Sequence, residues 1–112
     1  GSALAKYVTK TVLLNEASST LKIFIDVARP NNTEFEVYYK TGADETEVNA
    51  ASWALATPDN VIPVSDTGTF SEVEWTINPT IDFKAFGIKL VMKSENPALV
   101  PNAAAFRAIA LV

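Results

Sequence analysis

The chain has 112 residues, 48% apolar and 20% charged, with nine basic and thirteen acidic side chains giving a net charge of −4. That length makes one domain able to bury about two-thirds of its unfolded surface, and the acidic balance is the wrong sign for tracking a phosphate backbone, so nucleic acid is not an expected partner. There is no His and no Cys, which removes the commonest general base, the commonest nucleophile and the usual ligands of zinc, copper and haem.

The opening Gly1-Ser2-Ala3 has the look of a cleaved expression tag and is set aside. Residues 4–112 are expected to form a single domain, excised from a longer chain. The first predicted strand covers residues 5–14, rich in β-branched residues, with Val8, Val12 and Leu14 on one face. Turn formers at 15–20 then break the pattern. Residues 21–29 give the clearest strand: Leu21, Ile23, Ile25 and Val27 alternate with Lys22, Phe24, Asp26 and Ala28, the period of two that puts one face of a strand in a core. Pro30-Asn31-Asn32 ends it, because proline lacks a ladder donor and Asn tolerates the left-handed region. The next strand, 33–41, is expected to close a hairpin with it.

Periodicity fades from 42 to 66. The stretch 45–56 reads as strand and loop, with a helical turn or two as the alternative because of its alanines; Trp53 to Thr57 suits a short strand. Clean alternation resumes over 70–77, with Val73, Trp75 and Ile77 inward and Glu72, Glu74 and Thr76 outward. In the strand over 83–93, Phe86, Ile88, Leu90 and Met92 share a face opposite Lys89 and Lys93. Gly87 in its middle marks a bulge or a close approach of another group. A loop over 94–102 holds Pro97 and Pro101, and the apolar 105–112 is expected to pair within a sheet.

Seven or eight strands without a strong amphipathic helix specify an all-β fold, an antiparallel two-sheet β-sandwich of jelly-roll type. The longest apolar runs are five or six residues, far short of the roughly 20 that span a bilayer as a helix, so no membrane insertion is expected.

The residues left for chemistry are few. Glu72 and Glu74 can point the same way from one strand, as a glycosidase carboxylate pair would, but charge opposite an apolar face is the normal outer surface of such a strand. Glu34 and Glu36 have the same explanation. Asp44-Glu45-Thr46-Glu47 offers oxygens to Ca²⁺ but lacks the EF-hand spacing, and a solvated loop is preferred. No catalytic residue, metal site or cofactor is assigned. Tyr38 and Trp53 are the aromatic candidates for a sugar-binding platform, whereas Trp75, Phe35 and Tyr39 are read as core. The two arginines, Arg29 and Arg107, are candidate interface anchors, with pairing inside the domain as the alternative for each.

The order Leu21-Lys22-Ile23-Phe24-Ile25-Asp26-Val27-Ala28-Arg29-Pro30, Thr33-Glu34-Phe35-Glu36-Val37-Tyr38-Tyr39-Lys40, the Trp53 segment, Phe83-Lys84-Ala85-Phe86-Gly87-Ile88-Lys89-Leu90-Val91-Met92 and the closing Phe106-Arg107-Ala108-Ile109-Ala110-Leu111 resembles a β-sandwich domain in virion structural proteins of tailed phages, especially T4-like phages of marine bacteria. The resemblance implies a virion location in a tail, baseplate or fibre-associated subunit, other virion subunits as partners, and no enzymatic activity. A carbohydrate-binding module that recognises a host surface glycan is the rival, because fold alone cannot separate the two.

Overall fold

The computed structural model describes residues 2–95, 99 and 101–112. In chain order the elements are β1 (Ser2–Val8), β2 (Val12–Ser18), β3 (Thr20–Ala28), β4 (Thr33–Gly42), α1 (Glu45–Ala50), β5 (Ala54–Ala56), β6 (Ser71–Ile77), β7 (Phe83–Ser94) and β8 (Asn102–Leu111). They form two antiparallel sheets. One runs β1-β7-β4-β5 with β2 also on β7, and the other runs β6-β3-β8. The all-β sandwich expected from the alternation is the fold observed.

Its strand order is that of a jelly roll with one strand displaced. In the complete eight-stranded form the first strand lies beside the last. Here β1 instead continues the line of β2 along β7, and among the described residues β8 pairs with β3 alone.

The core lies between the sheets. β3 contributes Leu21, Ile23, Ile25 and Val27, β6 contributes Val73, Trp75 and Ile77, and the facing sheet supplies Phe35, Val37, Phe86, Ile88 and Leu90. The Trp75 and Phe35 rings meet across the interface with centroids 6.1 Å apart, and Tyr39 packs against the cluster, so these three aromatics are core as expected.

Several expected boundaries are corrected. Residues 5–14 are two strands broken at Thr9-Lys10-Thr11, where the Thr9 hydroxyl accepts from the Ile88 N–H at 3.0 Å and the Thr9 N–H donates to the Ile88 carbonyl at 2.9 Å. A side chain thus substitutes for a ladder acceptor, and the faces switch: Val8 lies opposite outward Lys89 while Val12 lies opposite core Phe86. The expected turn at 15–20 is extended chain, with only Ser19 between β2 and β3. Ser2 and Ala3, set aside as a tag remnant, are in register with Ser94 and Lys93. Residues 96–98 and 100 of the expected 94–102 loop lie outside the described residues.

The hairpin between β3 and β4 does not form, for these strands belong to opposite sheets. Alternation states which face of a strand is buried but not which sheet it joins. The connection crosses the top of the sandwich, with Asn32 in the left-handed region at φ 63° and the Thr33 hydroxyl donating to the Pro30 carbonyl at 2.6 Å.

The acidic run 44–47 is a helix start, which corrects its reading as loop. Asp44 is the N-cap of α1 and accepts from the Glu47 N–H at 2.9 Å, while the Glu47 carboxylate reaches back to the Ala43 N–H at 3.3 Å. That is close to a capping box, with the return bond made one residue earlier.

On the β5/β6 side an isolated bridge between Pro58 and Trp75 ties the sheets together. Asp59 fixes it by accepting from the Thr76 N–H at 3.0 Å and the Thr76 hydroxyl at 2.7 Å. Desolvation works against the Asp59 charge, but the Thr76 bonds and the charge of Lys22 outweigh it and hold its carboxyl below the ordinary value of 3.8. A depressed carboxyl stabilises the fold above its unfolded pKa, and that increment disappears as pH falls through the folded value. Asp59→Asn is therefore expected to be less stable than the parent at about pH 7, with the difference shrinking below about pH 4, as urea titrations at several pH values will measure. A pH-independent difference would contradict this role.

Candidate functional site

The outward face of the five-stranded sheet carries the most organised set of polar and aromatic side chains. Register places Glu34 opposite Lys93, Tyr38 opposite Lys89 and Lys40 opposite Gly87 on β4 and β7. Alternation then turns all of them away from the core.

The lower half of this face is covered by α1 and the segment after it. Small residues make the room: a Cβ at Gly42 would lie 2.9 Å from the Glu47 Cβ and 3.1 Å from the Val48 nitrogen, and one at Gly87 would meet the Trp53 ring at 3.6 Å. Gly87 is thus a place of close side-chain approach, one of the two roles expected for it. Val48 is buried here, and the Trp53 ring is brought beside the β4 and β7 lysines.

The result is a ladder of alternating rings and cations. Lys40 Nζ stands 4.6 Å from the Trp53 ring centre, and Lys89 Nζ stands 5.1 Å from that ring and 4.6 Å from the Tyr38 ring. The Tyr38 hydroxyl donates to Glu36 at 3.1 Å, and Glu36 pairs with Lys93 at 2.9 Å. Burial, then the hydrogen bond and charge of Glu36, raise the Tyr38 phenol above its ordinary value. The Glu36 hydrogen bond and charge likewise raise Lys93. Tyr38 therefore stays a neutral phenol near neutrality.

The structure brings Tyr38 and Trp53 together on one half-buried face, joined through Lys89. A stacking sugar would have to displace ammonium groups that already occupy the rings, each such contact contributing about 0.5–1 kcal/mol when exposed. A polar concavity of about 310 Å³ adjoins this face at the crossover end, lined among others by Arg29, Asn31, Asn32, Glu34, Lys93 and Glu95.

Arg29 is committed within the domain. Its guanidinium donates to the Thr33 carbonyl at 2.8 Å and the Ile62 carbonyl at 3.2 Å, and its backbone exchanges bonds with Ser65. Arg107, on the outward face of β8, pairs with Glu72 at 3.1 Å and lies over the Phe24 ring at 4.8 Å, with more than half of its side chain exposed. Glu74 pairs with Lys22. Glu72 and Glu74 are therefore each held by a separate cation on the solvated face of β6.

Sequence reasoning missed Lys40 and Lys89 as partners of the rings, because which lysine crosses to a neighbouring strand depends on register. It also missed the lateral edge formed by β1, β2 and β8. There Tyr7, Val8, Val12, Leu13, Phe106, Ile109 and Leu111 are all substantially exposed, although an apolar closing strand suggested burial. β8 is paired as expected, but among the described residues on one side only.

No family model, curated protein or solved structure matches the chain.

Proposed function

We propose that this domain is a non-enzymatic contact module, one sandwich unit of a larger assembly, and that the assembly is the tail, baseplate or fibre apparatus of a tailed phage. The observation that carries the contact reading is the apolar lateral edge. Monomeric proteins seldom leave a contiguous apolar face open, and edge strands are usually blunted by lysines or covered. The phage assignment rests on the similarity in the order of strand motifs, with other virion subunits as the partners.

The second reading, a host-glycan module, draws on the shared face of Tyr38 and Trp53 and is disfavoured by the lysines that occupy it. A glycan array separates the two. The contact reading expects no glycan to be retained; a glycan held by the parent and lost with Trp53→Ala or Tyr38→Ala would overturn it. The phage reading expects peptides of this chain in purified phage particles, and its confinement to non-particulate fractions would contradict that assignment.

A further inference from the structure

The two sheets differ in width by one strand. Where β5 lies beside Val37–Tyr39 the larger sheet is four strands across, because β1 and β2 lie end to end along β7, and the other is three across. The Pro58–Trp75 bridge ties the sheets together at the β5/β6 side. The surplus strand therefore overhangs on the opposite side, beyond β8. Tyr7 and Val12 show this directly: they lie opposite Leu90 and Phe86, the core-facing residues of β7, yet are 57% and 39% exposed. The lateral profile is a step one strand wide, at the position where a complete jelly roll would place its first strand.

We infer that this step is closed by a second copy of the chain, inverted about a two-fold axis that runs parallel to the strands between the sheets. The inference rests on the contact reading above and names its partner. An inverted copy presents the same step upside down. Its β1/β2 edge fits under the first copy's overhang and beside β8, while its own β8 meets the first copy's β1/β2 edge, so the interface is self-complementary. A two-fold axis perpendicular to the sheets would instead set overhang against overhang and hold the two β8 edges apart.

Strand direction and register agree with this arrangement. Ser18 at the end of β2 pairs with the first residue of β7, Leu111 at the end of β8 pairs with Thr20, and the Ser19 N–H donates to the Leu111 carbonyl at 2.8 Å. Both strands thus end at the same end of the sandwich, and an axis along them keeps that direction, giving a parallel pair. Leu13 lies opposite Ala85, two residues beyond Phe83, and Ile109 lies two residues before Leu111. The two residues therefore stand at one level on outward faces, and are 63% and 42% exposed.

Area and charge also suit a second copy. The whole molecule extends 42 × 23 × 20 Å, so a lateral face along its length has an upper bound on the order of 800 Å² per copy, the size of one side of a standard interface. Across β1, β2 and β8 the charged side chains are Lys6, Glu16 and Arg107, the last paired with Glu72. A chain of net charge −4 thus keeps its acidic excess off this face. The Ala105 bulge, at φ 52°, interrupts the upper half of β8 and leaves 107–111 as the stretch open to pairing.

Light scattering behind size exclusion, with sedimentation equilibrium over a range of concentrations, tests the inference. The parent protein is expected at twice the single-chain mass. Leu13→Lys and Ile109→Glu are each expected to weaken dimerisation at least tenfold with unchanged circular dichroism, while Val61→Lys, at a site 88% exposed away from this edge, has no effect. An equal mixture of Leu13→Lys and Ile109→Glu is expected to return to the two-chain mass, because opposite charges then meet across one seam and the other seam is unaltered. A parent at single-chain mass throughout, a dimer that survives either edge variant, or a mixture that stays dissociated would overturn the inference. Single-chain mass with a blank glycan array would remove the second copy and leave the contact reading standing, whereas glycan binding lost with Trp53→Ala would remove the contact reading itself.

Discussion

Trp75→Ala is expected to lower the free energy of unfolding by about 3–5 kcal/mol, the range for truncating a large aromatic in a closed core. The indole is 1% exposed. It stands on β6 of the smaller sheet and meets Phe35 on β4 of the larger one, so its removal opens a cavity where the two sheets are held together. Loss of its contacts across that gap adds to the transfer free energy of the missing ring. The same backbone also receives the Pro58 bridge, which limits how far the site can collapse to refill the space. Against the roughly 5–15 kcal/mol that holds a domain of this size together the loss is a large fraction, and chemical denaturation should give a strongly reduced midpoint. A loss below about 1 kcal/mol would mean that the sheets are held together elsewhere.

Arg29→Ala is expected to destabilise by about 2–3 kcal/mol, the range for leaving partly buried acceptors without a charged donor. The guanidinium spans the Thr33 carbonyl, where the chain has just crossed from one sheet to the other, and the Ile62 carbonyl in the long β5–β6 connection. The side chain therefore holds a topological crossover and a loop in one position. Its Nε is buried and has no partner among the described residues, which offsets part of the gain and keeps the expected loss below that of a fully satisfied clamp. Arg29→Lys should recover little, since one ammonium cannot reproduce a planar fork that reaches two carbonyls. Denaturant titration of both variants measures this, and a lysine variant as stable as the parent would contradict the clamp.

The elements legible in the sequence are those set by local alternation. Leu21, Ile23, Ile25 and Val27, and again Val73, Trp75 and Ile77, are buried on the faces their spacing predicts. Asn32 adopts the left-handed conformation expected of it, and Gly87 accommodates a neighbouring ring. Non-local pairing was not legible. Nothing in the spacing of β3 and β4 separates a hairpin from a crossover, and the interruption at Thr9-Lys10-Thr11 reverses the outward face through a single hydroxyl that replaces a ladder acceptor. The helix was obscured because Asp44 and Glu47 read equally well as a solvated acidic loop and as a cap.

The same limit applies to function. Tyr38 and Trp53 are ring candidates from their positions, and they do share a face, but the lysines that occupy it, Lys40 on β4 and Lys89 on β7, are set there by the pairing of those two strands. The lateral edge was hidden because the apolar alternation of β8 is the pattern of a covered strand. Only the sheet order shows that, among the described residues, one side of β8 and of the overhanging β1 and β2 is left without a neighbouring strand.

Amide hydrogen exchange of the parent protein at low and high concentration tests most directly the claim that this domain works through its stepped edge. With association at that edge, protection should rise with concentration in β2 and in residues 107–111 of β8 and stay constant at Tyr38, Lys89 and Trp53. Exchange that does not depend on concentration, or protection gained at the Tyr38–Trp53 face while β2 and β8 are unchanged, would contradict the account.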